Sequence, residues 1–191
     1  AGKQWTEYVA EGDYASLFGA FVNSMQDPEN HPPFPKAVQK IIWEDVGQTA
    51  DEHNIPGQFT AFIGYEWTSM IEGNNLHRVV IYRDGADRAT QLPPFTSQES
   101  TDPRDLWRAL DTYETMTGGE VMAIAHNGSL SNGMMFPNES VDNQKLNLSY
   151  AETRARWEPI YEVTQVKGDG ESHPTLSPSD EFADFESWDW D

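Results

Sequence analysis

The 191-residue chain contains no cysteine. Disulfides, thiolate zinc sites and cysteine nucleophiles are thereby excluded together, and Asp, Glu, His and Asn are left as the side chains able to hold a metal. Positive charge is also scarce, with 12 Lys and Arg against 32 Asp and Glu and a formal net charge of −20. Such a surface repels nucleic-acid backbones and anionic membranes, so neither is an expected partner, although bound divalent ions would reverse the sign locally. Long apolar runs are missing too. None approaches the ~18 residues of a membrane span, and the opening AGKQWTEYVAEGD lacks the apolar core of a signal peptide. The expectation is a soluble single domain over residues 1–191, able to bury roughly 70% of its unfolded surface without help from a metal.

What is present is an alternation of helical and strand patterns, the rhythm of an α/β protein. Tyr14, Leu17, Phe18, Phe21, Val22 and Met25 recur at helical spacing until Asp27-Pro28. Pro35 opens a second helix carrying Val38, Ile41, Ile42 and Val46, which runs to about Asn54 before Pro56-Gly57. Asp102 caps a third, with Pro103 in its first turn, Leu106, Leu110 and Tyr113 on its apolar face and Gly118-Gly119 at its end. SYAETRARWEP predicts a short fourth helix capped by Ser149. Between them lie four strand patterns. The run from Phe59 to Tyr65 is apolar on both faces and reads as buried; Val79-Val80-Ile81, Val121 to Ala125, and Ile160 to Val166 follow. Residues Ser129 to Leu148 form a long excursion rich in Asn and Ser, expected to cover the site. Beyond Lys167 there is no Lys or Arg, and the acidic tail carries Phe182, Phe185 and Trp188 at a spacing suited to docking one helical stripe.

In parallel α/β sheets, ligands sit at the carboxyl ends of the strands. Here those ends are polar. Glu66 closes the first apolar run, His77 precedes the second, His126 closes VMAIA, and Glu171 and His173 follow the last within GDGESHP. A carboxylate closing a buried strand costs several kcal/mol unless it is paired or metal-bound. Imidazole and carboxylate together suit Mn²⁺, Zn²⁺ or Fe²⁺, and a bridging Glu66 would hold two ions able to clamp a phosphoryl group. The same residues also read as buried or capping side chains, and Asn127-Gly128 as a simple turn. His31, between an Asn and two prolines, reads as a solvated loop residue, and His53 as a helix C-terminal cation.

The stretch from Phe59 to Arg83, with AIAHNGSLSNGMMF, YEVTQVKGDGESHPTLSPSDEFADFE, LWRALDTYETMTGG and YAETRARWEP, resembles a widespread bacterial family of uncharacterised proteins related to the PHP (polymerase and histidinol phosphatase) metallohydrolases. That resemblance implies a distorted (β/α)7 TIM-like barrel with long loops at the strand C-terminal ends. It further implies two or three divalent ions and hydrolysis of a small phosphoester-like substrate, with a metal-bound hydroxide as nucleophile. Glu66 of GYEWTS resembles the metal-bridging Glu, His77 of NNLHRVV the His that follows it, and His126 of AIAHNG the His of the third ligand motif. Glu171 and His173 are placed as a further ligand, proton donor or phosphate contact, and Asn127 and Lys167 as substrate-binding residues. The H-x-H motif that opens such proteins and the Asp-x-His motif near their end are absent. The chain thus resembles a central segment of a larger PHP-like domain, with N- and C-terminal segments of the same parent as its missing partners and weak or no catalysis expected alone. Bacterial cytoplasm and periplasm both remain open. The alternatives are a binding module whose polar strand ends are vestigial, and a metal-dependent amide or lactone hydrolase on the same barrel.

Overall fold

The computed structural model describes residues 2–25, 35–140, 145–165, 167–170, 174–175, 177–181 and 183. They divide into two compact units, Ala1–Gln39 and Lys40–Asp191. In the first, helices α1 (Gly2–Glu11) and α2 (Tyr14–Met25) pack together. Gly12, at φ 70°, turns the chain between them, and Asp13 accepts the Ser16 amide at 3.1 Å, capping α2. The expected stop at Asp27-Pro28 and the loop histidine His31 lie outside the described residues.

Helix α3 (Lys36–His53) begins directly after Pro35. His53 lies in its last turn, with Nδ1 2.8 Å from the Thr49 carbonyl oxygen, as the helix-end reading expects. The chain then builds a three-stranded sheet in the order β1 (Ile63–Trp67), β4 (Arg78–Tyr82), β5 (Val121–Ala125). Between β1 and β4 sits a hairpin of β2 (Met70–Ile71) and β3 (Asn74–Asn75). Its turn residues Glu72 and Gly73 have φ of 52° and 82°, the positive pair a two-residue hairpin favours.

Both pairings in the main sheet are antiparallel, with Glu66 opposite Val79, Trp67 opposite Arg78, and Arg78 opposite Ala125. The expectation of neighbouring parallel strands is corrected here. The excursion from Trp67 to Arg78 is too short for a crossover, which takes a dozen or more residues and commonly a helix. No closed barrel forms among the described residues. Strands β1 and β5 nevertheless run in the same direction, one on each side of β4, so their carboxyl ends and the start of β4 lie at one edge.

After β4 come α4 (Ala86–Ala89) and α5 (Pro103–Thr117). The expected ends of α5 are both present, since Asp102 accepts the Arg104 amide and Gly118 takes a left-handed φ of 66°. A 3₁₀ turn (Gly128–Leu130), α6 (Leu148–Trp157) and a hairpin of β6 (Thr164–Gln165) and β7 (Gly168–Asp169) follow β5. Strands β4 and β5 alternate strictly between buried and half-buried positions. Ile63, Trp67, Val80, Tyr82, Val121 and Ala123 form one buried cluster with Trp43 of α3, Leu106, Trp107, Leu110 and Tyr113 of α5, and Trp157 of α6. Each large apolar side chain in it contributes about 1.5–3 kcal/mol of burial free energy.

Three further sequence expectations need correction. The first strand begins at Ile63, not Phe59; Phe59 is 60% and Phe62 64% exposed, because Ile55 and Phe59 pair to close the turn after α3. Among the described residues of the strand expected over Ile160 to Val166, the pairing is one parallel bridge between Tyr161 and Ala125 and the two residues of β6. Helix α6 is capped by Asn147, which accepts the Tyr150 amide at 2.9 Å, and not by Ser149. In the excursion after β5, Ser131 and Met135 are each 1% exposed, so this segment is anchored by buried side chains. The aromatic stripe of Phe182, Phe185 and Trp188 lies outside the described residues. No helix among the described residues is long and apolar enough to cross a membrane.

Candidate metal centre

Strand alternation brings the site together. On the buried face stand Trp67, Arg78 and Ala125, so their neighbours Glu66, His77 and His126 project from the other face at the same edge. The His126 amide donates to the His77 carbonyl at 3.1 Å, which carries the pairing one step past the ends of β4 and β5. Glu66 Oε1 stands 2.9 Å from His77 Nδ1 and 2.8 Å from His126 Nε2. One donor atom from each of the three residues lies within 4.8 Å of the others.

The electrostatics suit a cation. Burial works to raise the Glu66 carboxyl, but the hydrogen bond to His126 and the charges of His77 and His126 outweigh it, holding Glu66 below the usual carboxylate range. Burial is also the largest influence on His77 and pulls its imidazole down; Glu66 opposes this, while His126 and Lys167 add to it. A carboxylate therefore faces a neutral imidazole at pH 7. The Glu66 side chain is 45% exposed, which corrects the expectation of a carboxylate buried at its strand end. What places it is its two histidine partners.

A second layer holds the first. Glu162 Oε1 lies 3.3 Å from His126 Nδ1, and its Oε2 accepts the Asn127 amide at 2.9 Å. One carboxylate thus fixes both the ring and the backbone beside it, the arrangement that orients metal-ligating histidines. Asn127 is 1% exposed and takes φ 61°, a left-handed conformation that Asn tolerates. Its Nδ2 faces His126 Nε2 at 2.9 Å and His77 Nδ1 at 3.4 Å, while its Oδ1 accepts from Gln165 Nε2. Tyr161 closes this corner. A Cβ added at Gly128 would overlap its hydroxyl, and one at Gly170 would meet that oxygen at 2.8 Å.

Of the residues expected from sequence, the structure brings Glu66, His77, His126 and Asn127 together. Lys167 is exposed, and its charge reaches His77. Glu171 and His173 lie outside the described residues. Glu162 and Gln165 are polar positions of IYEVTQV with no local mark of a site role, and the fold supplies their targets. A groove of about 860 Å³ lined by Trp107, Tyr150, Arg156 and Trp157 contains none of these residues. Convergence of donor atoms, and not cavity size, identifies the centre.

The residues fit a divalent ion. Metal bonds of ~2.0–2.2 Å place neighbouring donors roughly 3.0–3.5 Å apart around a common ion, and the contacts that Glu66 makes with the two imidazoles are close to that spacing. His77 faces the centre through Nδ1, which meets Glu66, while its Nε2 is buried with no hydrogen-bond partner among the described residues. No match is found among curated proteins or among solved structures. One family model does match, described as "Protein of unknown function (DUF3604)", and it covers residues 2–191. Because that match takes in all but the first residue, the chain belongs to the DUF3604 family.

Proposed function

We propose that this chain carries the divalent-metal centre of a hydrolase, a phosphoesterase acting on a small-molecule substrate. The observation that carries the reading is the meeting of Glu66 Oε1, His77 Nδ1 and His126 Nε2 at one edge of the sheet. Glu66, His77 and His126 would hold a divalent ion there, and the chemistry it would supply is Lewis acidity toward water and phosphoryl oxygens. Glu66 supplies the anionic ligand. Burial keeps His77 neutral, and Glu162 aims His126. Lys167 supplies exposed positive charge for an anionic substrate in a chain otherwise strongly acidic.

Mn²⁺, Zn²⁺ and Fe²⁺ all suit this ligand mixture. On the PHP resemblance, Glu66 would serve more than one of two or three divalent ions, and Glu171 and His173 would act as ligand, proton donor or phosphate contact. The test is metal content and Mn²⁺ or Zn²⁺ binding by equilibrium dialysis for the wild type, Glu66→Ala and His126→Ala, followed by turnover of aryl phosphates. Stoichiometric metal in the wild type, lost in both variants, is the expected result. Equal metal in all three overturns the assignment.

A further inference from the structure

The Asn127 carboxamide presents a hydrogen-bonding mismatch that no protonation state removes. Its Nδ2 carries two hydrogens and faces His126 Nε2 at 2.9 Å, while the Glu66 carboxylate faces the same nitrogen at 2.8 Å. If Nε2 bears a hydrogen, it suits Glu66 and opposes the amide. If Nε2 bears a lone pair, it suits the amide and opposes the carboxylate. His77 Nδ1 stands in the same position, 2.9 Å from Glu66 Oε1 and 3.4 Å from Asn127 Nδ2. A cation between the imidazoles and Glu66 resolves the first half of the conflict. It leaves an amide NH₂ aimed at nitrogens whose lone pairs the cation has taken.

Rotating the carboxamide by half a turn resolves the second half. The two ends of an amide are nearly equal in size, so the exchange needs no repacking around Asn127. Oδ1 would then face the centre and Nδ2 would face Gln165, whose Nε2 now donates to Oδ1. Gln165 must turn with it and present Oε1 as acceptor. The terminal amide atom stands 2.9 and 3.4 Å from the two imidazole nitrogens, near the roughly 3.0–3.5 Å between donors sharing one ion.

Resting on the metal-centre reading above, we propose that Asn127 is a fourth ligand to the ion through Oδ1, and that Gln165 holds it by accepting from Nδ2 when metal binds. Asn127 is thereby a ligand and Gln165 a positioning residue. The left-handed backbone at Asn127 serves this role, since it aims a short amide back between the imidazoles, and Asn, Asp and Gly are the residues that tolerate such a φ.

The test uses Mn²⁺ affinity by calorimetry and the visible absorption of bound Co²⁺, which reports coordination number, on the full chain. Asn127→Gly removes the amide without straining the backbone and should weaken Mn²⁺ binding at least about tenfold while changing the Co²⁺ spectrum. Asn127→Asp keeps the ligand oxygen and should bind as tightly as wild type or more so. Gln165→Glu, which can only accept, should also retain wild-type affinity; far-ultraviolet circular dichroism confirms folding of each variant. Asn127→Asp or Gln165→Glu as weak as Asn127→Gly overturns the proposal, because it shows the NH₂ orientation to be the functional one. Asn127→Gly with wild-type affinity and spectrum overturns it as well and leaves the three-residue centre standing. A wild type that binds neither ion is a different outcome, in which the centre itself fails and this inference with it.

Discussion

Arg78 and Glu158 form an ion pair at 3.0 Å with side chains only 1% and 2% exposed. Arg78 is the first residue of β4 and the direct neighbour of His77. Its guanidinium also donates to the Leu76 carbonyl at 2.5 Å, so it fixes the backbone on both sides of that histidine. Glu158 in turn accepts from Trp107 Nε1 at 2.8 Å and pairs with Arg154 at 3.0 Å. The pair ties α5 and the end of α6 to the strand start from which His77 projects.

Removing one partner strands the other charge in the interior. Arg78→Met or Glu158→Leu is expected to cost about 3–5 kcal/mol, the range for a broken buried pair. Urea unfolding measures it: the midpoint should fall with an unchanged slope, and a loss below about 1 kcal/mol, as for a surface pair, would show that the pair is not buried in solution.

Glu162 reaches His126 Nδ1 and the Asn127 amide with its two oxygens. Glu162→Ala should lower Mn²⁺ affinity about 10–100-fold, as loss of a carboxylate behind a ligating histidine does elsewhere. Glu162→Gln, with one acceptor left, should fall between. Equilibrium dialysis decides the matter, and equal affinity in all three proteins would remove Glu162 from the site.

Gly128 has no room for a side chain, because a Cβ would overlap the Tyr161 hydroxyl. Gly128→Ala is expected to destabilise the protein by about 1–3 kcal/mol through overpacking. The Tyr161 hydroxyl is itself buried without a partner among the described residues, so Tyr161→Phe alone should be neutral or stabilising and should restore part of the loss in the double variant. Thermal unfolding of the four proteins tests this, and strictly additive effects would show that the two positions do not meet.

Alkaline pH should unfold the chain through its core tyrosines. Burial, followed by the charge of Asp84, pushes Tyr113 from 10.0 up to about 12, and burial likewise raises Tyr65 and Tyr82. A raised folded pKa means stability that is fully present below pH 10.0 and lost as pH rises toward about 12. Tyrosinate absorbance and circular dichroism should therefore change together over that window. Ionisation of all seven tyrosines near pH 10.0 with the fold intact would contradict it.

Much of the frame was legible because local chemistry sets it. Periodic apolar residues, Asp102 and Pro103 at one end and Gly118 at the other specify α5 within the chain itself, and the β-branched run of β4 and the apolar run of β5 need no distant partner to be read. The polar residues beside those strands, Glu66, His77 and His126, were visible for the same reason. Less was legible where pairing decides. Phe59 to Phe62 has the composition of a strand, yet the turn closed by Ile55 and Phe59 leaves it outside the sheet. IYEVTQV also reads as a strand, but among its described residues Tyr161 alone bridges to β5.

The sequence by itself determined which side chains could hold a cation, since a chain without cysteine offers only oxygen and imidazole, and strand alternation puts Glu66, His77 and His126 out of phase with the core. Tertiary structure decided that they meet. That depends on β4 running antiparallel between β1 and β5, a register set by hydrogen bonds between distant segments. It also decided the roles of Glu162 and Gln165, whose partners are 35 to 38 positions away. Their function lies in where their oxygens and nitrogens point, and no local pattern encodes a direction in space.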